Sequence, residues 1–163
     1  MENTEINDLR LSPHLASPSE AVLSHSSQLD GLRLSPHFVL GEFLNLAKHP
    51  DNVPTMQQVV SMAYGCLMLL EPARTVTGCP IIVNSGFRNA AYNARVGGAS
   101  RSQHLVGQAA DIRPGDPSQF QLLVDYLRLS EHTDQLLTGR GWLHISWNPF
   151  GSPRHDVRLG YYK

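Results

Sequence analysis

Ser102-Gln103-His104-Leu105-Val106-Gly107-Gln108-Ala109-Ala110-Asp111 is the stretch on which the reading of this chain turns. Together with Trp142-Leu143-His144-Ile145-Ser146 it offers two imidazoles and one carboxylate, a donor set suited to a single zinc ion. Catalytic zinc sites take about three protein ligands and keep a further position for water, whereas structural ones are closed by about four. Three donors without a convincing fourth therefore point to chemistry. His104 precedes a turn at Gly107 and Asp111 lies on the strand that follows, so the intervening residues can fold the two side chains back toward each other. His144 alternates with Leu143 and Ile145, which puts its imidazole on one face of a strand and its apolar neighbours on the other.

Outward from this pair of segments, periodicity supplies the elements. Apolar residues from about 40 to 47 predict a short helix, closed by Lys48-His49-Pro50 because proline disfavours helical geometry in the residue before it. A longer helix is expected over 54–75, with Pro54 in its first turn and Met56, Val59, Val60, Ala63, Cys66, Leu67 and Leu70 as its buried stripe. Pro72 is expected to bend or end its last turn, and Met56, Met62 and Met68 to fill core space. Pro80 to Asn84 reads as a buried strand, Asn89 to Val96 as a helix stopped by Gly97-Gly98, and Ala109 to Arg113 as a strand. Pro117 to Leu129 is a helix with Phe120, Leu123, Val124 and Leu127 on one face. Gln135 to Leu137 and Trp142 to Trp147 form a hairpin around Gly139-Arg140-Gly141, and Val157 to Tyr162 is a last strand. These elements predict an α+β domain, a small antiparallel sheet flanked by helices, over residues 32–163.

Residues 1–31 form an N-terminal extension, rich in serine and acidic residues and weakly packed. Within it Leu9-Arg10-Leu11-Ser12-Pro13-His14 is repeated letter for letter as Leu32-Arg33-Leu34-Ser35-Pro36-His37. The repeat reads as a local duplication, or as two copies that dock on the domain in similar ways. A net charge of -1 gives no reason to expect nucleic acid as a partner, and no apolar run is long enough to insert in a membrane. The acidic start lacks the apolar core of a secretory signal, so synthesis in the cytoplasm is expected, with action on a cell wall requiring release or delivery by another factor. Cys66 and Cys79 form no metal-type pair, and free thiols are expected, with a disulfide left open.

The ordered pattern Ser85-Gly86-Phe87-Arg88, then Ser102-x-His104-x-x-Gly107-x-Ala109-x-Asp111, then Trp142-x-His144 resembles the zinc D-Ala-D-Ala carboxypeptidases and related phage endolysin peptidases. The resemblance runs from about residue 32 to 163 and includes Ser35-Pro36-His37-Phe38, Glu71-Pro72-x-Arg74 and Asp134-Gln135-Leu136. It implies His104, Asp111 and His144 as zinc ligands and Arg88 as the cation that contacts the substrate and its developing oxyanion. The implied activity is zinc-dependent hydrolysis of a peptide bond in peptidoglycan stem peptides, of carboxypeptidase or endopeptidase type. Ser102 and Gln103 divide between substrate contact and loop hydrogen bonding.

Members of that family place an acid about three positions before the last histidine as general base, and here that position is Gly141. Asp134 is the nearest upstream acid and the first substitute, with Asp116, Glu131, His132 and His155 behind it. A general base contributes roughly 10²–10⁴-fold, so its loss slows a zinc site without silencing it. The missing acid keeps a second function in view: a catalytically weak or inactive zinc-binding member that binds peptidoglycan or a protein partner. A third, a purely structural metal site, lacks the fourth ligand.

Overall fold

The computed structural model describes residues 29–162. The first copy of the six-residue repeat and most of the extension lie outside them. The second copy turns back on itself through a bridge between Arg33 and Val39. Leu34 is buried, while Ser35 Oγ and the His37 N–H and Nδ1 all meet the Glu71 carboxylate, at 2.7, 2.7 and 2.8 Å. A short helix follows, α1 (Gly41–Leu44), ended by Asn45 in the left-handed region.

The expected long helix is present but broken into three segments. Helix α2 (Met56–Gly65) starts two residues late because Thr55 caps it, exchanging hydrogen bonds with Gln58 in a capping box. A π-helical stretch, Cys66–Leu70, leads into α3 (Glu71–Thr77), and Pro72 sits in the first turn of α3. Proline does not end the helix, which runs on to Thr77; the wider π turn comes just before it, where its missing N–H would have left a gap in the ladder. The buried face keeps a spacing of three and four residues through all three segments, but it is narrower than the expected stripe. Val59, Met62, Cys66, Leu69, Leu70 and Ala73 are buried, whereas Met56, Val60 and Leu67 from the expected stripe are exposed. Of the three methionines, only Met62 is fully buried.

Five strands form one sheet in the order β1-β2-β4-β3-β5: β1 (Ile81–Ser85), β2 (Ala109–Pro114), β3 (Gln135–Thr138), β4 (Leu143–Ser146) and β5 (Asp156–Arg158). All pairings are antiparallel except β3 with β5, and β5 is shorter than the expected strand. Helix α4 (Ala90–Arg95) carries Asn89 as its cap, and α5 (Phe120–Leu129) follows a 3-10 turn, Pro117–Gln119. The mixed α+β class expected from the sequence is what forms. Both cysteines are free, Cys66 buried and Cys79 half-buried.

Strand alternation divides the sheet into two faces. Ala110, Ile145 and Leu136 lie side by side in the register and enter the core with Ile112, Leu143, Leu123, Val124, Leu127 and Trp147. Ser85, Asp111, His144, Leu137 and Arg158 form the adjacent row across all five strands, and all five residues line one cavity. A bulge at Asn84 brings Ser85 into this row, because two residues of β1 there oppose one of β2.

Candidate metal centre

The sheet register sets Asp111 directly opposite His144, and a 3-10 turn, Gln103–Val106, brings His104 over the same row. Ser102 caps that turn, its Oγ accepting from the His104 N–H, and Gly107 closes it at φ 69. A side chain at Gly107 would stand 2.7 Å from the Gln58 carbonyl oxygen, so both its conformation and its surroundings require glycine. The loop and the turn clasp each other. The Arg88 N–H donates to the His104 carbonyl at 3.1 Å, and His104 Nδ1 donates to the Gly86 carbonyl at 2.6 Å.

That second bond defines the chemistry of His104. A carbonyl only accepts, so Nδ1 carries the proton and Nε2 presents its lone pair to the cavity side. Burial at 2% exposure pushes the His104 pKa down and keeps the ring neutral. His104 Nε2, His144 Nδ1 and one Asp111 oxygen then form a triangle with edges of 3.2, 3.3 and 3.0 Å. Ligands about 2.0–2.1 Å from a tetrahedral ion stand about 3.3 Å from one another, so the triangle has the dimensions of one face of such a site. The donor chemistry fits as well, since two neutral imidazoles and one ionised carboxylate are borderline ligands of the kind zinc accepts. Burial alone would raise the Asp111 pKa, but the polar His104 and His144 rings packed against it hold the carboxyl well below the usual carboxylate range.

Arg88 lies beside this triangle. Its Nη2 is bonded to the second Asp111 oxygen, and its Nε donates to Ser85 Oγ at 2.8 Å. The guanidinium is therefore an ion-pair partner of a candidate ligand carboxylate as well as a wall of the cavity. Ser102 and Gln103 line the same cavity, which has a volume of about 730 Å³. Ser102 combines the cap with that position. Gln103 is wired to Asp134 and Arg154.

Asp134 is not brought into the triangle. It is 1% exposed and outside the cavity lining, and its oxygens accept from the Arg154 N–H, the Arg154 guanidinium, Gln103 Nε2 and Ser146 Oγ. Burial alone raises its pKa, and the bonds from Arg154 and Gln103 overcome this to hold it below the ordinary value. Four of these five bonds fall on Oδ2 and one on Oδ1, so the carboxylate is engaged in holding Arg154, Gln103 and Ser146. Asp116 caps the 3-10 turn at Pro117–Gln119, His132 meets Tyr64 on another part of the surface, and neither these residues nor Glu131 and His155 line the cavity. Among the described residues Asp111 is the one carboxylate in the lining.

Sequence reasoning passed over Arg154, Arg158, Tyr161 and Tyr162, which complete the wall. Tyr162 stacks on Trp142 with ring centroids 4.6 Å apart, and its N–H donates to the Thr138 carbonyl. Only the charge pattern of Arg154-His155-Asp156-Val157-Arg158 carried a signal, and it carried no information about which residues it would face.

Against known proteins, a stretch of 36 residues is 56% identical to the zinc D-Ala-D-Ala carboxypeptidase of Streptomyces albus G. That match covers 22% of this chain and 14% of the relative, so it spans only a small part of that protein's length. A family model covers far more, from His37 at the Glu71 anchor to Ser146 just past the last candidate ligand. With residues 37–146 matched to the model described as Peptidase M15, and the triangle of donors inside that span, the chain belongs to the peptidase M15 family.

Proposed function

We propose that the protein is a zinc-dependent peptidase that hydrolyses a peptide bond in bacterial peptidoglycan stem peptides, as a D-Ala-D-Ala carboxypeptidase or an endopeptidase. The observation that supports this most is the triangle of His104 Nε2, His144 Nδ1 and Asp111 at the floor of an open cavity. A zinc ion held by these three residues would polarise a peptide carbonyl and lower the pKa of water from about 15.7 to around 7. His104 contributes a neutral imidazole fixed in one tautomer by Gly86. Arg88 orients Asp111 and carries a permanent positive charge to the place where negative charge develops on the substrate oxygen. Ser102 and Gln103 form the adjoining wall and take part in holding the peptide. Asp134, the sequence candidate for general base, acts instead as a positioning residue for Gln103 and Arg154. The cell wall is the site of action in this reading, reached by release or by another factor; among the described residues no helix is long and apolar enough to cross a membrane.

A second reading has its own support: no carboxylate other than Asp111 lines the cavity among the described residues. A member that binds zinc and peptidoglycan with little or no turnover would look the same. Zinc content by mass spectrometry, followed by incubation with peptidoglycan and analysis of released D-Ala and cut stem peptides, separates the two. Stoichiometric zinc with product that disappears in His104→Ala supports the peptidase. Stoichiometric zinc and no product, where a known peptidase cuts the same preparation, would sink it.

A further inference from the structure

The cavity wall holds Arg88, Arg101, Arg154 and Arg158; Asp111, Asp134 and Asp156 pair with the first, third and fourth, which leaves an excess of one positive charge and the unused guanidinium N–H groups facing the cavity. Such a wall favours an anion. Of the four, Arg154 is the most thoroughly constrained. Its backbone N–H donates to one oxygen of the buried Asp134 at 2.8 Å, and its Nε and Nη2 donate to the other at 2.9 and 2.6 Å. Nη2 also donates to Gln103 Oε1 at 2.6 Å, while Gln103 Nε2 returns to Asp134 at 3.0 Å. Both hydrogens of Nη2 are thereby committed. Nη1 has no partner among the described residues, on a side chain that remains 55% exposed and lines the cavity.

An exposed arginine normally loses much rotamer freedom when it grips a ligand. Here Asp134 and Gln103 have removed that freedom beforehand, so a ligand meets a preorganised donor. Charge-assisted N–H to carboxylate bonds are also among the stronger polar contacts. The positions of both supporting groups tie this device to the metal centre: Gln103 adjoins His104 in sequence, and the Asp134 N–H donates to the Ser146 carbonyl, two residues beyond His144.

We propose that Arg154, locked by Asp134 and Gln103, binds a carboxylate of the peptide ligand through Nη1. It selects anionic peptides over neutral ones at the site described above. The inference rests on the peptidase reading only in taking a peptide as the ligand. The carboxylate has two possible sources, the peptide C-terminus or an acidic side chain.

Binding separates them without requiring turnover. The zinc-loaded full chain is titrated with short peptides ending in D-Ala-D-Ala, as free acid and as C-terminal amide, each with Glu or Gln on the N-terminal side. We expect at least one acidic form to bind about tenfold or more tightly than its neutral counterpart. If the free acid wins, the C-terminus is the ligand; if Glu beats Gln, the side chain is. Arg154→Gln should remove that preference with zinc content unchanged, and Arg154→Lys should restore only part of it, because the lysine cannot hold both Asp134 and the peptide. Equal binding of acidic and neutral peptides by the wild-type chain, absence of binding by all four, or a preference that survives Arg154→Gln overturns the proposal. The wild-type comparison depends on no variant's folding. Peptide hydrolysis, read separately, reports on the peptidase assignment: preference without cleavage counts against that assignment and leaves the Arg154 contact standing.

Discussion

His104 owes its suitability as a candidate metal donor to the atom behind it. The Gly86 carbonyl takes the Nδ1 proton, and burial keeps the ring neutral, so the lone pair on Nε2 points where His144 and Asp111 converge. Replacing His104 with alanine removes one of three donors, and zinc content measured by mass spectrometry should fall well below one per chain. Arg88 acts on the same site through Asp111. Arg88→Gln deletes the ion pair while leaving all three donors, and should weaken zinc binding roughly 10–100-fold in competition with a chromogenic chelator. An unchanged zinc affinity would show that the ion pair does not orient the carboxylate. That the three candidate donors and Arg88 would be brought together was legible in the sequence because they sit inside short, spaced motifs that resemble a family. The order of their hydrogen bonds was not, since it depends on a turn and two strands closing on one another.

At the scale of elements, the π-helical stretch between α2 and α3 and the Glu71 anchor carry most of the positioning. Gly65 ends α2 where Trp147, fully buried, donates from Nε1 to the Ser61 carbonyl at 2.7 Å. A β-carbon at Gly65 would come within 2.2 Å of the indole ring. Gly65→Ala should therefore destabilise by about 1–3 kcal/mol despite alanine's better helix propensity, lowering the melting temperature by about 3 °C or more. A melting temperature at or above wild type would contradict this packing. Glu71 holds the second copy of the repeat through Ser35 and His37. Glu71→Ala leaves those donors without their acceptor and should cost about 2 kcal/mol in denaturant unfolding. Periodicity located these elements but misjudged their faces: Met56, Val60 and Leu67 fit a regular helical stripe and yet are exposed. Met56 and Val60 precede the π turn, so their exposure reflects which flank of the stripe the domain covers, and that depends on distant parts of the chain.

Across the whole molecule, stability and charge meet at buried or half-buried carboxylates. Burial alone would raise the pKa of both Glu71 and Asp134, but hydrogen bonds from Ser35 and His37 in one case, and from Arg154 and Gln103 in the other, hold both below their ordinary values. A carboxyl whose folded pKa is depressed contributes stability that is present above its unfolded pKa, about 4, and lost as pH falls through the folded value. Unfolding free energy should thus decline from about pH 6.5, where the unfolded chain protonates the imidazole that burial keeps neutral in His104, and fall more steeply below about pH 4. Asp134→Asn should be less stable at neutral pH and show a shallower acid decline, measured by denaturant titration at stepped pH. An equally steep decline in that variant would place the acid sensitivity elsewhere.

The α+β class and the approximate helices and strands followed from sequence by itself, because alternation, helical spacing and turn residues are local properties; His104, Asp111 and His144 stood out as candidate ligands through spaced motifs that resemble a family. Tertiary structure decided the rest. Sheet register placed Ser85, Asp111, His144, Leu137 and Arg158 in one row from five separate strands. It also buried Asp134 behind Arg154, a pair twenty residues apart whose meeting depends on β5 lying parallel beside β3. The physical reason is that a side chain's hydrogen-bond partners belong to a place in the fold. No spacing along the chain states whether an aspartate will face water in a cavity or five donors beneath it.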